Sequence, residues 1–190
     1  MEPVVRLTSR VVPLPRADVD TDQIIPARFL SGTDRACLGD ALFADWRLQP
    51  DFVLNQSRYQ GAQVLLGGAN FGCGSSREHA VWALHAWGIR AVLAPSFADI
   101  FASNAVNAGV VPVRVDSDLC GPLLEAALSG PGLTVTLDVA AQTLETPDGL
   151  VSFALDAIEA HRLTRGLEPL DHALEYLREV NEFETARSAV

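Results

Sequence analysis

The residues best suited to chemistry lie in a glycine-rich segment between residues 64 and 80. A short apolar run leads into closely spaced glycines, two serines and an arginine: Gly67, Gly68, Gly72, Gly74, Ser75, Ser76 and Arg77. Glycines let backbone N–H groups approach a ligand, a helix N-terminus presents unpaired donors, and arginine offers a fork that matches a carboxylate. The segment predicts an anion site in the first turn of a helix, capped by Ser75 or Ser76. The extra glycines and the arginine favour this anion site over a plain capping box, which needs neither.

Other chemistries fit this segment less well. The phosphate loop of nucleotide-binding proteins requires a lysine, and the chain contains none. A dinucleotide fingerprint requires a third glycine where Arg77 stands. His79 follows Ser75 by one helical turn, which rarely gives the geometry of a hydrolase triad. Cys73 has no sequence neighbour that would lower its pKa, and we interpret it as a small filler.

A second candidate segment carries three alternating carboxylates, Asp18, Asp20 and Asp22. Alternating aspartates are typical of calcium loops, but the glycine and the distal glutamate of an EF-hand are missing. The alternative is an Asx-turn that caps a short helix. Both interpretations remain open for Asp18 and Asp20.

Composition restricts the partners. The chain has 190 residues, 24 acidic against 14 basic side chains, and a net charge of −10. A nucleic-acid or anionic-membrane surface requires a basic footprint, so we expect neither partner. A small anionic substrate remains possible because a few arginines in a pocket can outweigh a distant negative surface.

Three cysteines, Cys37, Cys73 and Cys120, are widely spaced and odd in number. They predict neither a disulfide framework nor a metal or iron–sulfur ligand set in this chain. His85, His161 and His172 also show no ligand spacing. The first twenty residues carry charges and prolines where a signal peptide needs an apolar run, so we expect a cytoplasmic protein.

Alternating strands and helices must position these motifs, and the pattern predicts an α/β fold. Strands are predicted at residues 11–14, 62–66, 91–94, 110–115, 133–138, 143–145 and 150–154. Helices are predicted at residues 77–87, 96–107, 118–129, 154–165 and 170–180. Residues 16–60 lack a clear period and predict an ordered excursion over the surface, residues 143–152 predict a hairpin, and residues 185–190 predict a frayed tail.

The chain resembles the small subunits of bacterial 3-isopropylmalate dehydratase, in the aconitase superfamily. The resemblance rests on Asp20-Thr-Asp-Gln-Ile-Ile-Pro26, on Asn70-Phe-Gly-Cys-Gly-Ser-Ser-Arg-Glu-His-Ala80, and on Ala94-Pro-Ser-Phe-Ala-Asp-Ile-Phe101 followed by Asn104, Asn107 and Pro112-Val113. Asp45-Trp46-Arg47 and Pro50-Asp-Phe-Val-Leu-Asn55 also match. The similarity extends from the first predicted strand to the hairpin.

This resemblance implies one swivelling β/β/α domain over residues 1–190, with mixed sheets, flanking helices and a C-terminal helical extension at about 154–182. It implies a large partner subunit that carries a [4Fe–4S] cluster, with none bound by this chain, and a small dicarboxylate substrate. By the same resemblance Ser75 is the catalytic base. The substrate-binding residues are Ser76, Arg77, Asp22 and Arg35, and the supporting residues are Gly72, Gly74 and His79.

Two segments depart from the family pattern. Around Arg35 the usual Thr-Arg-Thr-Gly-Phe is replaced by Asp34-Arg-Ala-Cys-Leu38. Near the C-terminus the usual Gly-Leu-Asp-x-Ile-Gly-Leu-Thr-Leu is replaced by Gly166-Leu-Glu-Pro-Leu-Asp-His-Ala-Leu174. Three interpretations remain: an isopropylmalate isomerase subunit, a paralogue acting on another 2-substituted malate such as homocitrate, and a non-catalytic carboxylate-binding module.

Overall fold

The computed structural model of the chain describes residues 1–30, 35–129 and 132–188, with only the backbone described at residues 35, 36 and 188. Its strands are β1 Arg6–Leu14, β2 Val64–Gly67, β3 Ala91–Ala94, β4 Val111–Arg114, β5 Thr134–Asp138, β6 Thr143–Thr146 and β7 Gly149–Ser152. Its helices are α1 Thr21–Ile24, α2 Glu78–Trp87, α3 Asp99–Asn107, α4 Ser117–Leu128, α5 Ala157–Arg165, α6 Pro169–Glu175 and α7 Leu177–Ser188.

The seven strands form one mixed sheet in the order β4-β3-β2-β1-β5-β6-β7. Strand β1 joins its two halves. Residues 11–14 of β1 pair in parallel with β2, and residues 6–10 pair antiparallel with β5. The pairs β2–β3 and β3–β4 are parallel, whereas β5, β6 and β7 form an antiparallel meander.

Apolar side chains on the two faces of the sheet form two core clusters. Val12 and Leu65 belong to the cluster that contains α2 and α3 residues, whereas Val11 and Val64 belong to the cluster under α4 and α5. Neighbouring residues of a strand point to opposite faces, which explains this division. The predicted α/β class, with a mixed sheet and flanking helices, is confirmed.

The segment 16–60 differs from its prediction. Its described residues, 16–30 and 35–60, contain α1 and five short 3-10 segments, and they contribute Ile24, Leu42 and Phe43 to the core with no exposed surface. Phe43 stacks on Trp46 with 5.2 Å between the ring centroids. The segment is therefore a covering layer of one sheet face rather than an excursion over the surface. Its aromatic residues are spaced without a regular period, which is why the sequence pattern concealed their burial.

The C-terminal part also differs in detail. The single helix predicted at 170–180 is divided at Tyr176 into α6 and α7, and residues 185–188 of the predicted frayed tail are helical. The predicted hairpin at 143–152 is confirmed as β6 and β7. Among the described residues, no helix is both long and apolar enough to cross a lipid bilayer.

Candidate active site

Three loops meet at one edge of the parallel half of the sheet. They follow the carboxyl ends of β1, β2 and β3, and two isolated bridges join them, Asp20 to Cys73 and Phe71 to Phe97. Backbone hydrogen bonds strengthen both joints: Gly72 N donates to Val19 O at 2.7 Å, and Ala98 N donates to Phe71 O at 3.0 Å. Parallel strands place their carboxyl ends at the same edge, where α/β proteins commonly bind ligands.

The glycine loop requires glycine at two of its positions. Gly72 has φ +77° and Gly74 has φ +86°, in the left-handed region that side chains disfavour. A Cβ on Gly72 would lie 2.1 Å from Cγ of Phe101, and a Cβ on Gly74 would lie 3.3 Å from Cβ of Asp20. The loop therefore packs directly against α3 and against the loop that precedes α1.

The start of α2 corrects the predicted cap. Helix α2 begins at Glu78, and Arg77 is its N-cap residue with φ −132°, ψ 108° and no side-chain cap hydrogen bond. Ser75 and Ser76 thus precede the helix and do not cap it. The Thr21 hydroxyl donates to the Ser75 carbonyl at 2.9 Å, which ties the loop to α1 and holds it outside the helix.

A cavity of about 250 Å³ opens beside this loop. It is lined by Thr21, Gly72, Gly74, Ser75, Ser76, Arg77, Ala98, Asp99, Ile100, Phe101 and Asn104. Both serine side chains are exposed, and within the described part of the chain neither hydroxyl has a hydrogen-bond partner. The predicted base and the two predicted carboxylate-binding groups, Ser76 and Arg77, therefore share one solvent-accessible cavity.

Arg77 is held by Asp22. Nη1 of Arg77 donates to Oδ1 of Asp22, and the side chains are 18% and 54% exposed. A guanidinium has five N–H donors, so one bond to Asp22 leaves others for a ligand carboxylate. Asp22 does not line the cavity, and its observed contact is this ion pair with Arg77.

The three aspartates of the second candidate segment have separate partners in the structure. Asp20 forms a capping box with Gln23 at the start of α1, with Gln23 N donating to Asp20 Oδ1 at 2.8 Å. Asp18 accepts a hydrogen bond from Nδ2 of Asn70 at 2.7 Å. The capping alternative is therefore the correct one for Asp20.

One further predicted site residue, His79, stands outside the cavity, and only the backbone of Arg35 is described. The His79 ring packs on Trp82 with centroids 4.7 Å apart, so its observed contact is with the body of α2. Arg35 begins the 3-10 segment Arg35–Ala41, and its side chain lies outside the described part of the structure.

Cys73 occupies a site that disfavours the thiolate. Burial raises the pKa of the Cys73 thiol, and the negative charges of Asp20 and Asp18 raise it further. This agrees with the interpretation of Cys73 as a filler, since a nucleophilic cysteine needs a lowered pKa.

We expect Cys73 to react slowly with iodoacetamide at neutral pH, and faster as pH rises, because only the thiolate reacts. Replacing Asp18 with asparagine removes one of the charges that raise the pKa of Cys73, so alkylation at fixed pH should accelerate. Asp51→Asn, at an exposed site, is the control. Mass spectrometry of the labelled peptide measures the rate, and equal rates for Asp18→Asn and wild type would contradict the electrostatic explanation.

Gly72→Ala should destabilise the protein by more than the cost of placing alanine in a left-handed backbone conformation. The overlap with Phe101 adds to the backbone strain, and we expect a loss of about 3 kcal/mol in the free energy of unfolding. Gly61 is the matched control, because its φ is +74° and nothing lies within 4 Å of an added Cβ. Gly61→Ala should cost about 1–2 kcal/mol, the steric penalty of the left-handed conformation. Urea unfolding measures both, and equal losses would contradict the steric contribution of Phe101.

Sequence reasoning missed three polar residues of the cavity wall: Thr21, Asp99 and Asn104. Thr21 fixes the Ser75 carbonyl, whereas Asp99 and Asn104 come from α3, which follows the third loop. Asp99 and Asn104 stand in motifs that carried the family resemblance. The signal was therefore present, but the sequence did not show that α3 faces the glycine loop.

The cysteines do not form an iron–sulfur cradle. Cys120 is buried with Sγ 3.6 Å from the Gly67 carbonyl oxygen, Cys73 lies in the glycine loop, and Cys37 is exposed. Among the described residues, no group of three metal-ligating side chains includes a cysteine. The residues described here therefore do not fit a cluster, and we assign this chain no step that passes through one.

Comparison with known proteins shows the family to which this chain belongs. The aconitase C-terminal domain family matches residues 1–118. The 3-isopropylmalate dehydratase small subunit of Roseiflexus sp. (strain RS-1) is 45% identical over 196 aligned positions, covering 100% of this chain and 96% of the relative. The corresponding small subunit of Anaeromyxobacter sp. (strain K) is 48% identical, covering 98% of this chain and 100% of the relative.

A solved structure of the same family has a similar fold. The crystal structure of 3-isopropylmalate dehydratase from Methanocaldococcus jannaschii superposes with a TM-score of 0.70 at 28% identity, covering 95% of this chain and 99% of that chain. This chain therefore belongs to the aconitase C-terminal domain family, among the small subunits of 3-isopropylmalate dehydratases.

Proposed function

We propose that this chain is the small subunit of a heteromeric hydro-lyase that isomerises 2-isopropylmalate to 3-isopropylmalate in leucine biosynthesis. The observation that carries the proposal is identity of 45% or more, over nearly the full length of both chains, to relatives that bear this name. The exposed serines and Arg77 in one cavity support it, because such a reaction must bind carboxylates beside a proton acceptor.

The reaction removes one water molecule and returns it with the hydrogen and hydroxyl positions exchanged. In our proposal the Ser75 oxygen takes the proton from the carbon next to a substrate carboxylate, and the hydroxyl group leaves from the adjacent carbon. Rehydration returns the proton from Ser75 to the carbon that lost the hydroxyl group. A hydroxyl group then adds to the carbon that lost the proton. A serine hydroxyl is a weak base in water, so the loop donors and Arg77 must stabilise its alkoxide.

Ser76 and Arg77 are proposed to hold a substrate carboxylate, and Asp22 to fix the orientation of Arg77. Arg35 is proposed to contact the distal part of the substrate, and Gly72, Gly74 and His79 to support the loop. The position of the loop rests on the tie from Thr21 to the Ser75 carbonyl and on close packing of Gly72 against Phe101.

A large partner subunit is part of the proposal, and we propose that it carries a [4Fe–4S] cluster that supplies Lewis-acid chemistry to the substrate hydroxyl. We further propose that residues 1–190 form one swivel domain, with residues 154–182 as a helical extension. We also propose a reducing cytoplasmic compartment, which suits Cys37, Cys73 and Cys120 because none of them forms a disulfide in the described part of the chain.

A substrate comparison tests the proposal. The chain is mixed anaerobically with a dehydratase large subunit, and absorbance of the unsaturated intermediate is followed with 2-isopropylmalate, citrate, homocitrate and citramalate. We expect the highest kcat/KM with 2-isopropylmalate. A higher value with another malate would establish a paralogue, and no partner-dependent signal with any of them would favour a carboxylate-binding module.

A further inference from the structure

Two histidines and a glutamate meet between α5 and α6. Oε2 of Glu175 lies 2.9 Å from Nε2 of His161 and 3.2 Å from Nδ1 of His172. All three ligand atoms lie within 4.8 Å of one another. In the part of the chain that the structure describes, this is the one group of three metal-ligating side chains that converges in this way. The histidines are eleven positions apart in the sequence, which is why their spacing gave no ligand signal.

Caps set where α5 and α6 begin, and Glu175 contacts an imidazole of each helix. On α6, His172 and Glu175 are three residues apart and therefore share a face. The start of α6 is set by a capping box between Glu168 and Asp171, with Glu168 N donating to Asp171 at 3.0 Å. The N-cap of α5, Asp156, accepts from Ile158 N at 2.8 Å.

Two of the three ligand-atom distances suit a tetrahedral zinc site. With bonds of about 2.0–2.2 Å, neighbouring ligand atoms of such a site stand roughly 3.4 Å apart. The two observed nitrogen–oxygen distances are close to this spacing. An ion could therefore enter with small side-chain rotations, with each imidazole moving its proton to the nitrogen that faces away from the metal.

The exposure of the cluster allows an ion to reach it. The side chains of His161, His172 and Glu175 are 42%, 17% and 35% exposed. Three protein ligands leave the fourth tetrahedral position for water or for a side chain of another molecule. The ligand set, two imidazoles and one carboxylate, suits Zn²⁺ rather than Mg²⁺ or Ca²⁺, which prefer oxygen ligands alone.

We propose that His161, His172 and Glu175 form a Zn²⁺ site that fastens α6 to α5. Helix α6 has no buried residue, so apolar packing contributes little to its position. Helix α5, in contrast, is anchored by the buried Leu163, by a hydrogen bond from Val4 N to the Leu163 carbonyl at 2.8 Å, and by Arg162, which donates to Asn107 at 3.0 Å. An ion between the helices would tie a weakly packed element to a fixed one. None of the three ligands lines the glycine-loop cavity.

Isothermal titration calorimetry of the full chain, without a histidine tag and stripped of metal, tests this site. We expect one zinc ion to bind per chain. His161→Ala and Glu175→Gln remove one ligand from each helix and should each weaken binding at least ~10-fold, since even residues behind the ligands change metal affinity by this much. His85→Gln and Glu179→Gln are matched controls outside the cluster and should bind zinc like the wild type.

Hydrogen exchange provides the second readout. Zinc should slow exchange of the α6 amides in the wild type and leave them unchanged in His161→Ala and Glu175→Gln, whose circular dichroism should match the wild type. Absence of zinc binding would overturn the proposal. Equal binding in both ligand variants, which would place the ion at the cysteines or elsewhere, would overturn it as well, and so would an equal loss of binding in His85→Gln.

Discussion

Ser75→Ala is expected to lower kcat of the assembled enzyme about 10³-fold, within the range by which a positioned base accelerates a reaction. Alanine removes the side-chain oxygen and retains the backbone carbonyl that accepts the Thr21 hydrogen bond. The loop conformation should therefore survive, and KM should change much less than kcat. Steady-state kinetics with 2-isopropylmalate in the presence of excess large subunit measures both constants.

Ser57→Ala is the control for Ser75→Ala, because Ser57 is also exposed and lies outside the cavity. It should leave both constants unchanged. Activity of Ser75→Ala within a few-fold of the wild type would show that another group accepts the proton. A rise in KM with normal kcat would assign Ser75 to substrate binding.

Arg77→Lys is expected to cost roughly 10- to 150-fold in kcat/KM. Lysine keeps the positive charge but loses the planar fork that binds a carboxylate through two parallel bonds. Loss of one hydrogen bond to a charged group corresponds to about 1.5–3 kcal/mol, which sets this range. The stability of the isolated chain should change by less than about 1 kcal/mol, because Arg77 forms a partly exposed pair with Asp22.

Arg28→Lys is the matched control for Arg77→Lys. Arg28 forms an ion pair with Asp45 through both of its terminal nitrogens and lies outside the cavity. Its substitution tests the general effect of losing an arginine–aspartate pair, and kcat/KM should stay at the wild-type value. Near-normal activity of Arg77→Lys, or an equal loss in Arg28→Lys, would contradict a carboxylate clamp at Arg77.

Much of the fold could be predicted because its signals are local. Strands β2, β3 and β4 are short apolar runs bounded by turn residues. Such a pattern is typical of a strand that is buried on both faces. The glycine loop was also visible, since Gly72 and Gly74 adopt backbone conformations that other residues disfavour.

The exact start of α2 depended on a contact that the sequence does not display. Serines just before a helix are typical N-caps, and the residue order alone favours a cap at Ser75 or Ser76. The Thr21 hydroxyl, 54 positions earlier, holds the Ser75 carbonyl and shifts the helix start to Glu78. Both serines consequently line the cavity and precede the helix cap, which suits the role that we propose for them.

Long-range packing explains the other differences. Phe43 and Ile24 are fully buried because the segment that contains them folds over the sheet. No periodic sequence pattern indicates that this segment packs on the sheet. The meeting of His161 with His172 likewise requires the turn between α5 and α6. Local sequence patterns carry little information on such tertiary contacts.

The most direct test of the central claim is a three-way comparison of turnover with 2-isopropylmalate. The chain alone, a dehydratase large subunit alone and the anaerobic mixture of both are assayed for the unsaturated intermediate and for 3-isopropylmalate. We predict product from the mixture only, and loss of that product when Ser75→Ala replaces the wild-type chain. Dehydration by the isolated 190-residue chain, with no partner present, would contradict the account.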